Sequence, residues 1–176
     1  MDDITAHAAA YLESYTERDA LLFTITRSRN KNVVAYAALT DPATGAYTGA
    51  ACEGFWLAID PPELVAAREA GRVSHREEFN LIEKSMAFGV TCTPSPADDG
   101  TYTACLVATP KSAVVLGRDA DGRTVAYVTI HDRRVVLRNI YVRTIPGYFY
   151  PSVPWVVFTG VDPVTGETLR EYMPNI

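Results

Sequence analysis

Apolar and polar residues alternate over many short stretches of the chain, and this pattern predicts a β-rich fold. In the stretch 21–27, large apolar residues occupy positions 21, 23 and 25, and threonines occupy positions 24 and 26. A period of two is typical of a strand with one buried face. Comparable stretches predict further strands at 33–39, 54–59, 90–93, 102–109, 113–117, 124–130, 134–142, 153–159 and 167–172.

Three segments instead have apolar residues three or four positions apart, or strong helix-start signals, and predict helices. The first covers 3–17 and the second covers 60–70, where an aspartate and two prolines form the start. The third covers 75–88. There, Ser74 and Glu77 form a capping-box sequence ahead of an apolar stripe that contains Phe79, Ile82 and Met86.

Turn residues separate the strands of the second half at intervals of about ten residues, a spacing that favours antiparallel hairpins. We therefore expect an α+β, β-rich fold with a mainly antiparallel sheet curled into a barrel or sandwich. Two or three helices are expected to pack on one side or end. We identify no internal repeat, and the length of 176 residues suits one globular domain over 1–176, with 1–20 as an N-terminal helical extension.

The charge balance and the start of the chain narrow the class of protein. A formal net charge of −5 is opposite in sign to that expected of a phosphate-binding surface, so we predict no nucleic-acid partner. No stretch reaches the ~20 apolar residues of a membrane span. The acidic start Met1-Asp2-Asp3 differs from a secretory signal, which favours a soluble, cytoplasmic protein.

The sequence gives little support for metal or cofactor chemistry. Its three cysteines lack the C-x-x-C spacing of zinc sites, and its three histidines lie far apart. The motifs of P-loops, nucleophile elbows and zinc proteases are also missing. We predict no metal and no cofactor, interpret the cysteines as core or surface thiols, and assign no catalytic residue.

The densest polar cluster is the predicted hairpin turn after the first strand. Arg27, Asn30 and Asn32 in this cluster offer guanidinium and amide donors, which suit an anion or carboxylate ligand. The alternative is a solvated turn tip, where asparagines serve left-handed backbone positions.

Glu83 is a second candidate because helical spacing places it at the border of the apolar stripe. Its carboxylate is expected to meet an arginine of the sheet: Arg27, Arg138 or Arg143. Such a pair is either a structural ion pair or the acid–base device of a hydrolase or isomerase. The structural role is the commoner of the two, and the sequence leans against an enzyme.

Aromatic residues form the third cluster. Trp56 and Tyr148 belong to a set that either lines a ligand cavity or fills the core. The loop 148–150 carries three consecutive aromatic residues between prolines, which predicts at least one of them near the surface. This loop is the basis of an alternative hypothesis, a protein interaction domain, and self-association stays open.

A small-molecule binding module, with an anionic or apolar ligand, is the function that these three clusters favour. The predicted ligand-binding residues are Arg27, Asn30, Asn32, Trp56, Glu83, Arg143 and Tyr148. Whether the hairpin, Trp56 and Glu83 share one cavity is the question that a structure must answer.

Four stretches of the chain resemble motifs of an uncharacterised family, the domain-of-unknown-function family 4833. They are RSRNKNVVAY at 27–36, GFW at 54–56, LIEKSMAFG at 81–89, and the end segment 161–172. The resemblance spans about residues 21–172 and implies no activity or catalytic residue. At His131-Asp132 the chain departs from the family pattern, which favours an Asn-Gly-like pair there.

Overall fold

A computed structural model of the protein describes residues 20–57, 66, 70, 76–107, 109, 112–148 and 152–174, without the side chains of Asn30 and Lys31. The predicted helix 3–17 and most of the predicted helix 60–70 lie outside the described residues. Within the second range, the amide of Ala70 donates a hydrogen bond to the carbonyl of Ala66 at 3.2 Å, which is helical spacing. None of the described helices is both long and apolar enough to cross a membrane.

The described residues form one sheet of 11 strands, and every predicted strand is present. Its main path runs β4-β3-β2-β1-β9-β8-β7-β6-β5, while β10 and β11 extend from the other edge of β9. The strands are β1 (Leu21–Arg27), β2 (Asn30–Thr40), β3 (Tyr47–Leu57), β4 (Arg76–Glu78), β5 (Val90–Pro94), β6 (Tyr102–Leu106), β7 (Val114–Arg118), β8 (Thr124–Ile130), β9 (Arg133–Ile145), β10 (Ser152–Val161) and β11 (Thr168–Pro174).

Strand β9 organises the sheet because one of its edges serves two partners in turn. Residues 133–136 pair with β8, and residues 139–142 pair with β1. Arg138 lies between these stretches, at an irregularity of the register with β10, and such a bulge bends a strand. The β1–β9 pair is parallel and all other pairs between described strands are antiparallel, so the sheet is mixed.

The sheet curls into a half-barrel around one main apolar core. Phe23 of β1 stacks on Tyr36 of β2, with ring centroids 4.6 Å apart, and both side chains are buried. Leu137 of β9 and Phe158 of β10 belong to the same core. The curl brings β3 beside β5, although these two strands are not paired.

The predicted helix 75–88 is wrong in its first half, and the expectation of two or three helices fails within the described residues. Among the described residues, one short helical element is longer than a single residue. It consists of the turn α1 (Leu81–Glu83) and the π turn that continues it (Lys84–Phe88). Residues 76–78 form β4 because they pair with the edge of β3, and such tertiary pairing overrides local helix signals. The cap of α1 is Asn80, whose side chain accepts from the amide of Glu83 at 2.9 Å.

This shift of the helix start also changes which side chains are buried. Phe79 is buried, whereas Ile82 and Met86, predicted to share its stripe, are each 69% exposed. Phe79 precedes the helix start, so it does not share a helical face with Ile82 and Met86.

Two turns refine the predicted hairpins. The turn after β1 contains only Ser28 and Arg29, so Asn30 and Asn32, which were expected in the turn, are strand residues. Between β8 and β9, His131 and Asp132 have φ values of 48° and 61°. Left-handed backbone at both central residues is the geometry that Asn-Gly pairs favour. The turn therefore has the conformation expected of an Asn-Gly-like pair, although its residues are His131 and Asp132.

A short local repeat occurs in two turns of the sheet. The pentapeptide Asp-Pro-x-Thr-Gly begins at Asp41 and again at Asp162, in the β2–β3 and β10–β11 turns. In each turn the aspartate Oδ1 accepts hydrogen bonds from the amides two and three residues ahead, at 2.8–3.0 Å. These bonds hold the pKa of both carboxyl groups below its ordinary value.

Candidate functional site

A cavity of about 300 Å³ lies where β3 meets β5 beneath the π turn. We call this unpaired junction of β3 and β5 the seam. Its volume is at the lower end of small-molecule sites. The lining residues combine an apolar aromatic part with a charged rim: Cys52, Glu53, Gly54, Glu78, Phe79, Lys84, Phe88, Gly89, Val90, Thr91 and Val107.

Two glycines shape the cavity by permitting close approach. A Cβ atom on Gly54 would lie 2.7 Å from the ring of Phe79 and 2.9 Å from that of Tyr36. A Cβ atom on Gly89 would lie 1.9 Å from the carbonyl oxygen of Lys84. Both distances are too short for a side chain, so these positions favour glycine for reasons of space alone.

The apolar wall consists of the rings of Phe79 and Phe88, with the ring of Trp56 packed behind them. The ring centroid of Trp56 lies 5.8 Å from that of Phe79 and 5.1 Å from that of Phe88, with edge-to-face geometry in both pairs. Phe79 and Phe88 are 5.5 Å apart. The hydroxyl of Tyr36 donates to the carbonyl of Phe88 at 2.9 Å, which ties the end of the π turn to the core.

Arg27 lies behind this wall, at the end of the inner face of β1. Its guanidinium carbon is 4.8 Å from the ring centroid of Trp56 and 5.3 Å from that of Phe88, which is cation–π geometry. The Nε atom is buried and has no hydrogen-bond partner among the described residues. Burial lowers the pKa of Arg27, and the nearby carboxylate of Glu83 opposes that shift.

The charged rim is partly neutralised. The guanidinium of Arg76 lies 2.8 Å from Oε2 of Glu53 and 2.9 Å from Oε1 of Glu78, and it stacks 4.0 Å above the ring of Phe55. The hydrogen bond to Glu53 raises the pKa of Arg76. Within the described part of the chain, Lys84 makes no ion pair, so it supplies the unpaired cation of the cavity.

Three of the predicted ligand residues come together: Arg27, Trp56 and Glu83. They lie behind the cavity wall and are not among the residues that line it. Phe88 connects the two groups, because it contacts Arg27 and also lines the cavity. The carboxylate of Glu83 accepts from the amide of Asn80 at 2.9 Å, which is a structural capping role.

The other four predicted ligand residues are dispersed or only partly described. Asn32 is a half-buried residue near the start of β2, and the side chain of Asn30 is outside the description. Arg143 follows Val142, which packs on the core, so its side chain lies on the opposite face of β9. Tyr148 is 94% exposed, consistent with the prediction for its loop, of which residues 149 and 150 are not described.

The charged residues that line the cavity were not predicted from the sequence: Glu53, Glu78 and Lys84. Glu53 and Glu78 come together through the pairing of β3 with the three-residue β4, and Lys84 reaches the rim from the π turn, so no local periodic signal marks them. Among the described residues, no three His, Cys, Asp or Glu side chains are placed to hold a metal ion.

Comparison with known protein families gives one match. A family model described as "Domain of unknown function (DUF4833)" matches residues 23–172. The chain belongs to this family. The matched region of this DUF4833 chain begins in β1 and ends in β11, so it contains every lining residue of the cavity. Neither the comparison with curated proteins nor that with solved structures finds a match.

Proposed function

We propose that this chain binds a small organic anion with an apolar body, in the cavity at the seam. The observation that carries the proposal is an aromatic wall beside an ammonium group that forms no ion pair with any described residue. Phe79 and Phe88 provide the wall, and Lys84 provides the cation. Ligand sites are typically apolar concavities with a few polar groups that orient the ligand.

The charge pattern supports an anionic ligand in preference to a cationic one. Glu53 and Glu78 are the carboxylates on the rim, and Arg76 already binds both. A cationic ligand would have to displace Arg76, whereas an anion meets Lys84 without breaking an ion pair. Arg27 and Trp56 act in this proposal as positioning residues, because they hold Phe88 from behind.

The hydrolase or isomerase alternative loses its motivation. It requires Glu83 beside a cleft, and Glu83 does not line the cavity and instead caps α1. No observation of the described residues favours a reaction over binding.

Benzoate is a suitable first probe because it combines an aromatic ring with a carboxylate, and benzylamine is its charge-reversed control. We expect benzoate to raise the melting temperature and benzylamine to leave it unchanged. The variant Lys84→Gln should weaken benzoate binding by about tenfold, since a charge-assisted hydrogen bond contributes about 1.5 kcal/mol or more. Isothermal titration calorimetry measures the dissociation constants.

Two further variants test the location of the site. Arg123→Gln removes one positive charge from an exposed turn and should bind benzoate like the wild type. Val107→Phe adds bulk at the cavity without changing charge and should abolish binding. Equal stabilisation by benzylamine, or wild-type affinity in both Lys84→Gln and Val107→Phe, would overturn the proposal.

A further inference from the structure

Two cysteines face each other across the seam. Cys52 of β3 and Cys92 of β5 have sulfur atoms 3.6 Å apart, and neither is in a disulfide. Cys52 is buried, and Cys92 is half-buried. The third thiol, Cys105, is exposed on β6. The two facing thiols therefore connect strands that the ladder of the sheet leaves unconnected.

We propose that Cys52 and Cys92 form a reversible disulfide, which closes the seam when the protein meets a hydroperoxide. A disulfide requires sulfur atoms about 2.05 Å apart. The two sulfurs are already in non-bonded contact, so small side-chain rotations suffice. Among the described residues, no backbone-to-backbone hydrogen bond links β3 to β5, so none has to break when the disulfide forms. This inference does not depend on the proposed ligand.

The surroundings assign different roles to the two sulfurs. Their shared hydrogen bond, the largest influence on each, raises the pKa of Cys52 and lowers that of Cys92. Burial raises the pKa of Cys52 further. Cys92 is also the more accessible of the two thiols, and the thiolate is the reactive form, so Cys92 is the nucleophile and Cys52 is the resolving thiol. Cys92 is half-buried, so a small oxidant reaches its sulfur from solvent, and Cys52 lines the adjoining cavity.

The reaction proceeds in two balanced steps with hydrogen peroxide as oxidant. The Cys92 thiolate attacks one peroxide oxygen: an S–O bond forms, the O–O bond breaks, and the hydroxide released takes up a proton to become water. Cys52 then attacks the sulfur of the resulting sulfenic acid. The S–S bond forms, the S–O bond breaks, and the hydroxyl group leaves as water with the proton of Cys52. Two thiols and one peroxide thus give one disulfide and two waters.

The link would join residues 40 positions apart and thereby constrain the unfolded chain. A loop of that length predicts a rise in melting temperature of about 10 °C. Thiol reductants reverse the link, which makes it a switch rather than a permanent cross-link.

The test uses the full chain with the substitution Cys105→Ser, so that only the two facing thiols remain. After treatment with hydrogen peroxide, we expect a mass lower by two hydrogen atoms, loss of both alkylatable thiols, and a tryptic peptide joining Cys52 to Cys92. The melting temperature should rise as above and return to its starting value with dithiothreitol.

Matched controls separate this outcome from ordinary oxidation. Adding Cys92→Ser to the Cys105→Ser chain should abolish the thermal shift and leave Cys52 alkylatable after unfolding. Adding Cys52→Ala in its place should let Cys92 proceed to sulfinic acid, visible as added oxygen. The proposal is overturned if the Cys105→Ser chain gains oxygen without losing two hydrogens, or if the cross-link joins two chains. It is equally overturned if the linked protein melts no higher than the reduced one.

Discussion

Arg27 and Arg76 are both close to the cavity, and the protein holds them in opposite ways. Arg76 binds two carboxylates and covers the ring of Phe55. Arg27 lies against two aromatic rings, and within the part of the chain that the structure describes its buried Nε has no hydrogen-bond partner. The difference shows that the charge of Arg76 ties two strands together, whereas the side chain of Arg27 supports the shape of the aromatic wall.

Removing the ring that faces Arg27 should have the largest effect on stability. Trp56→Ala deletes contacts with Phe79, Phe88 and the guanidinium, and we expect the free energy of unfolding to fall by about 3 kcal/mol. Urea unfolding followed by circular dichroism measures it. Leu81→Ala, at a position that is 84% exposed, is the control and should change stability little. Equal losses in both variants would contradict the role assigned to the wall.

Arg76→Met should have the next largest effect. The substitution removes two ion pairs and one cation–π contact and leaves Glu53 and Glu78 without their cation. Partly exposed interactions of this kind together contribute about 1–2 kcal/mol. The same unfolding experiment at low salt tests this, with Arg123→Met as a control for loss of charge alone. If Arg76→Met lowers the free energy of unfolding no more than Arg123→Met does, Arg76 is not a structural tie.

Arg27→Met should change the free energy of unfolding by less than about 0.5 kcal/mol, or increase it. Methionine retains an apolar side chain against the rings, and the substitution removes a charge whose burial is unfavourable. Chemical unfolding of this variant beside Arg76→Met gives the comparison directly. A loss as large as that of Arg76→Met would show that Arg27 is also a structural tie.

A change in salt concentration should have the smallest of these effects on the stability difference between the Arg76 and Arg27 variants. Raising the salt concentration to about 1 M screens partly exposed ion pairs, so the stability difference between Arg76→Met and the wild type should shrink. The difference for Arg27→Met should change less, because the guanidinium of Arg27 is packed against rings and its partly buried interaction with Glu83 is screened less by salt. Repeating the unfolding experiments in sodium chloride tests this, and parallel changes in both variants would be the contrary result.

The strands could be predicted from the sequence because their signal is local. The predicted bounds of β1 and β8 coincide with the observed ones, and only β4 was taken for helix. β4 has three residues and exists through its pairing with β3, which no local pattern encodes. The turns at Asp41 and Asp162, in contrast, are encoded locally, since the same pentapeptide forms the same hydrogen bonds in both places.

The candidate site was predictable only in part. Glu83 was expected to meet an arginine such as Arg27, and the structure places the two close enough for their charges to interact. The cavity was not anticipated, because its walls come from strands that approach each other without a shared ladder. The same holds for the Cys52–Cys92 contact, whose partners are 40 residues apart.

The parallel pairing of β1 with β9 determines when the molecule can fold during its synthesis. Thr24 and Asn139, whose side chains share a hydrogen bond, are 115 residues apart in the chain. A nascent chain that has left the ribosome up to β8 still lacks the neighbour that completes β1. Contacts between such distant residues form slowly, because a long loop must close before they are made. Until then, the inner face of β1 and one of its edges are open to other chains, which makes the synthesis of β9 the step that ends this exposure.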